Sequence, residues 1–157
     1  MVNAYPKSLF NIVLIEPEIP NNTGNIGRTC VGLCSRLHLV GPLGFSIDDK
    51  QVKRSGLDYW QNLDLKYYPS RADWLKSLTG DERIHIIETG SSKTIYNIEF
   101  QEGDYLVFGK ETKGLPQDIL EKFSEHVYSI PFPGQIRSFN LSNCVAMVMG
   151  EGLRQLS

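Results

Sequence analysis

Cysteine is scarce in this chain. Cys30, Cys34 and Cys144 are odd in number and lack CxxC spacing, which excludes a disulfide scaffold or zinc ribbon and fits a reducing compartment. No apolar run approaches the roughly 18 residues of a membrane helix. The opening MVNAYPKSLF has no apolar leader core, so a soluble cytoplasmic protein with no membrane partner is expected. Charge of one sign is not in excess either. Sixteen Lys+Arg against eighteen Asp+Glu give a formal net charge of −2, so a nucleic-acid partner has to be held by a local patch. GxGxxG after the first strand, GxxxxGK before Ser or Thr, GxSxG and HExxH are all missing, which disfavours the common nucleotide-binding, hydrolase and zinc-protease sites. No Cys/His ligand cluster is present, and no metal is expected. What remains is ordinary globular composition, 41% hydrophobic and 22% charged, in 157 residues. One domain spanning residues 1–157 is expected.

Short apolar runs alternate with helical patterns. Strands are expected at Leu9–Ile15, Leu37–Val40, Leu63–Tyr68, Arg83–Glu88, Tyr105–Phe108 and Val127–Ile130. Pro20–Asn25 reads as a turn-rich loop whose Asn and Thr cap a helix from Ile26 to Leu37. Further helices are expected at Asp48–Arg54, from Ser70 through Leu78, from Pro116 with proline in its first turn to Phe123, and from Ser142 to Leu156. The alternation implies an α/β fold, a mostly parallel sheet with helices on both faces. Ligands of such sheets bind beyond the C-terminal strand ends. Three of those ends are rich in Gly, Pro, Asn or Ser: Pro20–Arg28, Gly109–Gly114 and Pro131–Asn143.

Each of the three has a bland and a chemical reading. Arg28 is either a surface helix arginine or a charged, two-pronged donor for phosphate. Gly109–Gly114 is a plain strand-to-helix turn, or a loop that lets backbone approach a ligand beside Lys110 and Lys113. Ser138, Asn140, Ser142 and Asn143 include ordinary helix caps, although capping explains only one or two of them. His38, His85 and His126 read as packing or surface residues rather than bases, and the cysteines as small buried hydrophobes. Charge favours the chemical readings. Residues 19–47 and 126–150 contain no acid, while Arg28, Arg36 and Arg137 lie within them and Lys50, Lys53 and Arg54 form a separate cluster. That is the footprint of an anionic ligand such as RNA phosphate.

Three segments resemble, in order, the motifs of the SPOUT superfamily of RNA methyltransferases. They are Asn22-x5-Arg28, Phe108-Gly-Lys-Glu-Thr-Lys-Gly-Leu-Pro116 and Ile130-Pro-x6-Ser138-x-Asn140-Leu-Ser142-Asn143. Glu16-Pro-Glu-Ile-Pro20 and Asp48-Asp-Lys-x2-Lys-Arg-x-Gly-Leu-Asp58 narrow the resemblance to the minimal tRNA wobble-nucleotide ribose methyltransferases of the TrmL/YibK kind. It runs from about Phe10 to Leu156. The resemblance implies methyl transfer from S-adenosylmethionine to the ribose 2′-hydroxyl of nucleotide 34, cytidine or a modified uridine, in a tRNA anticodon stem-loop. It also implies a C-terminal deep trefoil knot and a homodimer.

Carried over by position, Ile87, Gly109, Ile130 and Ser138 contact the cofactor, and Glu111, Asn140 and Leu141 complete its pocket. Arg28 matches the catalytic arginine, Asn22 a residue that positions it, and Ser138 and Asn140 join the catalytic set. RNA would be held by Arg28, Lys50, Lys53, Arg54 and Arg137. Because arginine keeps its proton in proteins, Arg28 orients the hydroxyl and a neighbouring phosphate, and a phosphate oxygen or water takes the proton. One departure stands out: Gly150 and Gly152 occupy places where relatives often carry aromatic side chains, which implies a lost stacking or packing contact. Alternative readings are a related enzyme for another tRNA or rRNA position, and a non-catalytic RNA-binding or ribosome-assembly protein.

Overall fold

The structure, a computed structural model, describes residues 8–157; the start of the chain, where no leader is expected, lies outside them. Its six strands are β1 (Asn11–Ile15), β2 (Arg36–Val40), β3 (Leu65–Tyr68), β4 (Ile84–Ile87), β5 (Tyr105–Phe108) and β6 (Val127–Tyr128). They form one sheet in the order β3-β2-β1-β5-β4-β6, with every pairing parallel. The helices are α1 (Pro20–Gly32), α2 (Lys50–Gly56), α3 (Arg71–Ser77), α4 (Gln117–Lys122) and α5 (Leu141–Leu156), with short 3-10 turns at Leu57–Asn62, Ile95–Asn97 and Ser124–His126.

Alternation along the strands divides the core in two. Ile12, Leu14, Leu37, Leu39, Leu106 and Phe108 pack with Ile26 and Cys30 of α1 and Val145, Val148 and Met149 of α5. Val13, Ile15, Val40, Ile86 and Val107 point the other way, onto Trp74 of α3 and Ile119 of α4. Strands buried on both faces read as continuous apolar runs, which is what parallel sheets require.

Several boundaries differ from expectation. Pro20–Asn25 is not a loop: α1 begins at Pro20, behind Ile19, and no side chain caps it. It ends at Gly32 rather than Leu37 because Cys34 turns to φ +48 and the Ser35 N–H returns to the Cys30 carbonyl at 2.8 Å. Pro116 stands just ahead of α4, not inside its first turn. Ser70 does cap α3, accepting from the Asp73 N–H at 3.2 Å. In α5, Leu141, Val145, Val148 and Met149 are core, which leaves Ala146, Met147 and Gly150 on the exposed face. The packing contact expected to be missing at Gly152 is filled. A Cβ there would lie 2.6 Å from the Phe10 ring, and Phe10 meets Phe100 edge-on at 5.9 Å.

Candidate functional site

A cleft of about 610 Å³ opens beyond the C-terminal ends of β4, β5 and β6. Ile87 and Ile130 give it apolar walls with Leu141, Phe132 and Phe139, whose rings meet edge-on at 5.6 Å. Gly109, Glu111, Ser138, Asn140, Asn22 and Arg137 also line it. All the expected cofactor residues therefore converge with three of the four expected catalytic ones. Arg28, Lys50, Lys53 and Arg54 do not line it.

Three carboxylates tie together the segments around the cleft. Glu111 accepts the N–H groups of Glu18 and Ile19 at 2.8 and 3.1 Å and the Asn22 Nδ2 at 3.4 Å. In return Glu18 accepts the Thr112 N–H and hydroxyl at 3.1 and 2.7 Å, and these Thr112 bonds hold its carboxyl below the usual range. The loop after β5 and the entry to α1 are thus clasped to each other. Glu88, unflagged by any sequence pattern, accepts the Leu115 N–H at 2.7 Å. It sits against Gly114, whose φ of +67° suits glycine, and Gly109 packs so closely that a Cβ would fall 2.2 Å from the Gly114 carbonyl carbon. Backbone, not side chain, forms that wall.

The amides continue the clasp. Asn140 donates through Nδ2 to Asn22 Oδ1 at 3.0 Å, while its own Oδ1 caps α5 by accepting the Ser142 and Asn143 N–H groups at 2.9 and 3.3 Å. The side chain of Asn140 is therefore engaged in holding α5 and α1. The cationic character expected of the loop after β5 is only partial, because Lys110 lies 3.5 Å from the Glu16 carboxylate, which also binds Arg71. Lys113 and exposed Arg137 supply the positive charge at the rim. Cys144 also lines the cleft as a half-buried thiol, pushed by burial up to about 11.

Arg28 stands apart. At 100° and about 1.5 Å per residue, six positions carry it some 240° around α1 and about 9 Å along from Asn22. It is exposed, with Cζ 5.1 Å from the centre of the Tyr59 ring. Lys50, Lys53 and Arg54 are exposed on α2, which packs against α1. Away from the cleft, buried His38 bonds Tyr68 and Asn11 at 3.0 and 2.9 Å. His85 faces the buried Asp104 carboxylate at 2.9 Å, and His126 is exposed. Among the described residues no group of three or more His, Cys, Asp or Glu side chains is arranged to hold a metal. None of the helices described is long and apolar enough to cross a membrane.

An all-parallel α/β sheet with a glycine-shaped cleft at its strand ends defines a class, and residues 9–150 match the SpoU rRNA Methylase family. A tRNA (cytidine(34)-2'-O)-methyltransferase of Saccharophagus degradans is 46% identical over 153 residues, 94% of this chain and 96% of that one. A solved structure bearing on the 2-OH methylation of C/U34 on tRNA is 40% identical, with a TM-score of 0.91 over 96% of this chain and 98% of that one. The SpoU methyltransferase AviRb of Streptomyces viridochromogenes, solved in complex with the cofactor AdoMet, shares the fold with a TM-score of 0.83 at 21% identity, over 97% of this chain and 59% of that one. The chain belongs to the SpoU methylase family.

Proposed function

We propose that this protein is a tRNA (cytidine(34)-2′-O)-methyltransferase, which transfers a methyl group from S-adenosylmethionine to the ribose 2′-hydroxyl of the wobble nucleotide. The observation that carries the reading is the convergence of Asn22, from the first motif segment, with residues of the other two segments on one cleft at the strand ends. The relative from Saccharophagus degradans, matched over 96% of its length, bears the name of this reaction.

The cleft fits such a cofactor on its own terms. Its volume is in the range of small-molecule sites, about 300–1,000 Å³, with apolar walls and a few fixed polar groups. At Gly109 the backbone is laid bare where a side chain has no room. Ile87, Gly109, Ile130 and Leu141 would hold the cofactor, with Ser138 beside them and Glu111 acting by fixing the loop. When bound, S-adenosylmethionine supplies an electrophilic methyl carbon.

The chain's own contribution is positioning. Arg28 orients the 2′-hydroxyl and an adjacent phosphate with its donor fork, and the proton passes to a phosphate oxygen or water. Asn22 and Asn140 hold α1 and α5 in register with the cleft. Lys50, Lys53, Arg54 and Arg137 attract the anticodon stem-loop.

Arg28 lies outside the cleft of its own chain, and this supports a homodimer in which one copy's Arg28 serves the partner's cleft. The exposed α5 face of Ala146, Met147 and Gly150 is a surface suited to that contact. The reading includes a single domain with a C-terminal trefoil knot. Its support is the family match over residues 9–150. Cys30 and Cys144 are free thiols, in keeping with work in the cytoplasm.

Mass spectrometry of tRNA nucleosides with and without the gene tests the function. Loss of 2′-O-methylation at position 34 is expected. Loss at another position would indicate a related methyltransferase, and no loss a non-catalytic protein.

A further inference from the structure

We infer that Tyr59 is a positioning residue for Arg28: its ring face holds the guanidinium in place while leaving the N–H donors free for RNA. The inference rests on the role proposed for Arg28 above. Its geometric basis is the 5.1 Å separation between Arg28 Cζ and the ring centre, inside the roughly 6 Å reach of a cation–π contact.

The contrast with four other arginines is informative, and among the described residues Arg54 and Arg137, likewise without a carboxylate, lie over no aromatic ring. Arg36 bonds Asp64, Arg71 bonds Glu16 and Asp118, Arg83 bonds Asp104, and Arg154 bonds Glu151. Each spends donors and charge on a carboxylate. Among the described residues no carboxylate pairs with Arg28. A carboxylate would neutralise the charge and occupy the fork, whereas an aromatic face stabilises the cation without doing either.

The placement of Tyr59 is built into the backbone. Gly27 and Arg28 are neighbours on α1, and Trp60 and Tyr59 are neighbours on the 3-10 helix Leu57–Asn62. A Cβ on Gly27 would lie 3.0 Å from the Trp60 ring and 3.2 Å from Leu63, so glycine lets the 3-10 helix lie directly on α1. That contact sets Tyr59 beside Arg28. Tyr59 is 43% exposed, so the guanidinium over its ring is open to an incoming RNA.

The test is single-turnover methylation of tRNA at saturating tRNA and S-adenosylmethionine, with tRNA affinity measured separately. The variants are Tyr59→Phe, Tyr59→Ala, Arg28→Ala and the double variant. Tyr59→Phe should keep the rate, and Tyr59→Ala should lower it about two- to fivefold, the range expected of an exposed cation–π contact. In the Arg28→Ala background, Tyr59→Ala should add nothing. The Arg28 side-chain proton resonances of the free protein should carry a ring-current shift that survives Tyr59→Phe and disappears in Tyr59→Ala.

An equal loss from Tyr59→Ala in both backgrounds, a loss confined to tRNA affinity, or a Tyr59→Phe as slow as Tyr59→Ala would each overturn the inference. The first two would make the ring a stacking platform for a base. A wild-type rate for Arg28→Ala would instead defeat the reading on which the inference rests.

Discussion

Around Gly109 and Asn140 the loops are cross-tied by carboxylates and amides, whereas α2 and the 3-10 helix after it carry Lys50, Lys53, Arg54 and Tyr59 into solvent. The ion pair between Lys53 and Asp48 is long, 3.8 Å, with both side chains more than half exposed. Such a pair is worth little. In the cleft, by contrast, Glu111, Glu18 and Glu88 accept backbone N–H groups from other segments, and charge-assisted bonds of this kind are the strong ones. The difference teaches a division of labour. Backbone on the cleft side is fixed before any ligand arrives, and the basic face is left unsatisfied for an anion to complete.

The largest effect should come from Gly109→Ala. The new methyl group would collide with the Gly114–Leu115 backbone at 2.2–2.4 Å, so the wall has to move. A loss of about 3 kcal/mol in stability, from overpacking against backbone, should accompany loss of S-adenosylhomocysteine binding in calorimetry. Normal binding would show that the wall is less fixed than the clasp implies.

Next comes pH, which probes the sheet's other end. Burial pushes the His38 imidazole down to about 4 from an ordinary 6.5. The unfolded chain therefore binds more protons between those values. Stability is full above pH 6.5 and falls as pH drops toward 4, by about 2 kcal/mol at pH 5. His38→Gln should flatten that slope in denaturant titrations. Asp104 acts in a separate window. Burial would raise its carboxyl, but bonds from His85, the Gln101 N–H and Arg83 outweigh burial and hold it below 3.8, so its contribution is lost only in stronger acid.

Glu111→Ala removes the acceptor for Glu18, Ile19 and Asn22 and should cost about 1–3 kcal/mol in thermal unfolding. It should also weaken S-adenosylhomocysteine, because the loop after β5 loses its tie to α1. The smallest effect on stability is expected for the basic face. Replacing Lys50, Lys53 and Arg54 together by Ala should leave the unfolding midpoint unchanged. It should flatten the salt dependence of tRNA binding by about 0.7–0.9 in log–log slope per phosphate contact removed. An unchanged slope would remove α2 from the RNA-binding surface.

How much was legible beforehand follows the same division. Strands β1 and β5 showed as apolar runs, and their buried, two-sided environment explains why. The start of α1 did not, since Asn21, Asn22, Thr23 and Gly24 are weak helix formers. What holds that entry is Glu111, some ninety residues away, and no local pattern reports a partner so distant. The motif residues of the cleft were legible through family resemblance. The roles of Glu88 and Tyr59 were not, because a carboxylate on a backbone amide and a ring under a guanidinium have no spacing signature.

The division itself is tested most directly by one variant, Arg28→Ala, assayed for single-turnover methylation of tRNA and for S-adenosylhomocysteine affinity in the same preparation. A rate reduced about 10²–10³-fold, by analogy with loss of one oriented transition-state donor, is expected together with unchanged affinity. Arg28→Lys should recover little of it, since a point charge does not reproduce the fork. A wild-type rate, or a loss of cofactor affinity matching the loss of rate, would contradict the separation of the fixed cleft from the open basic face.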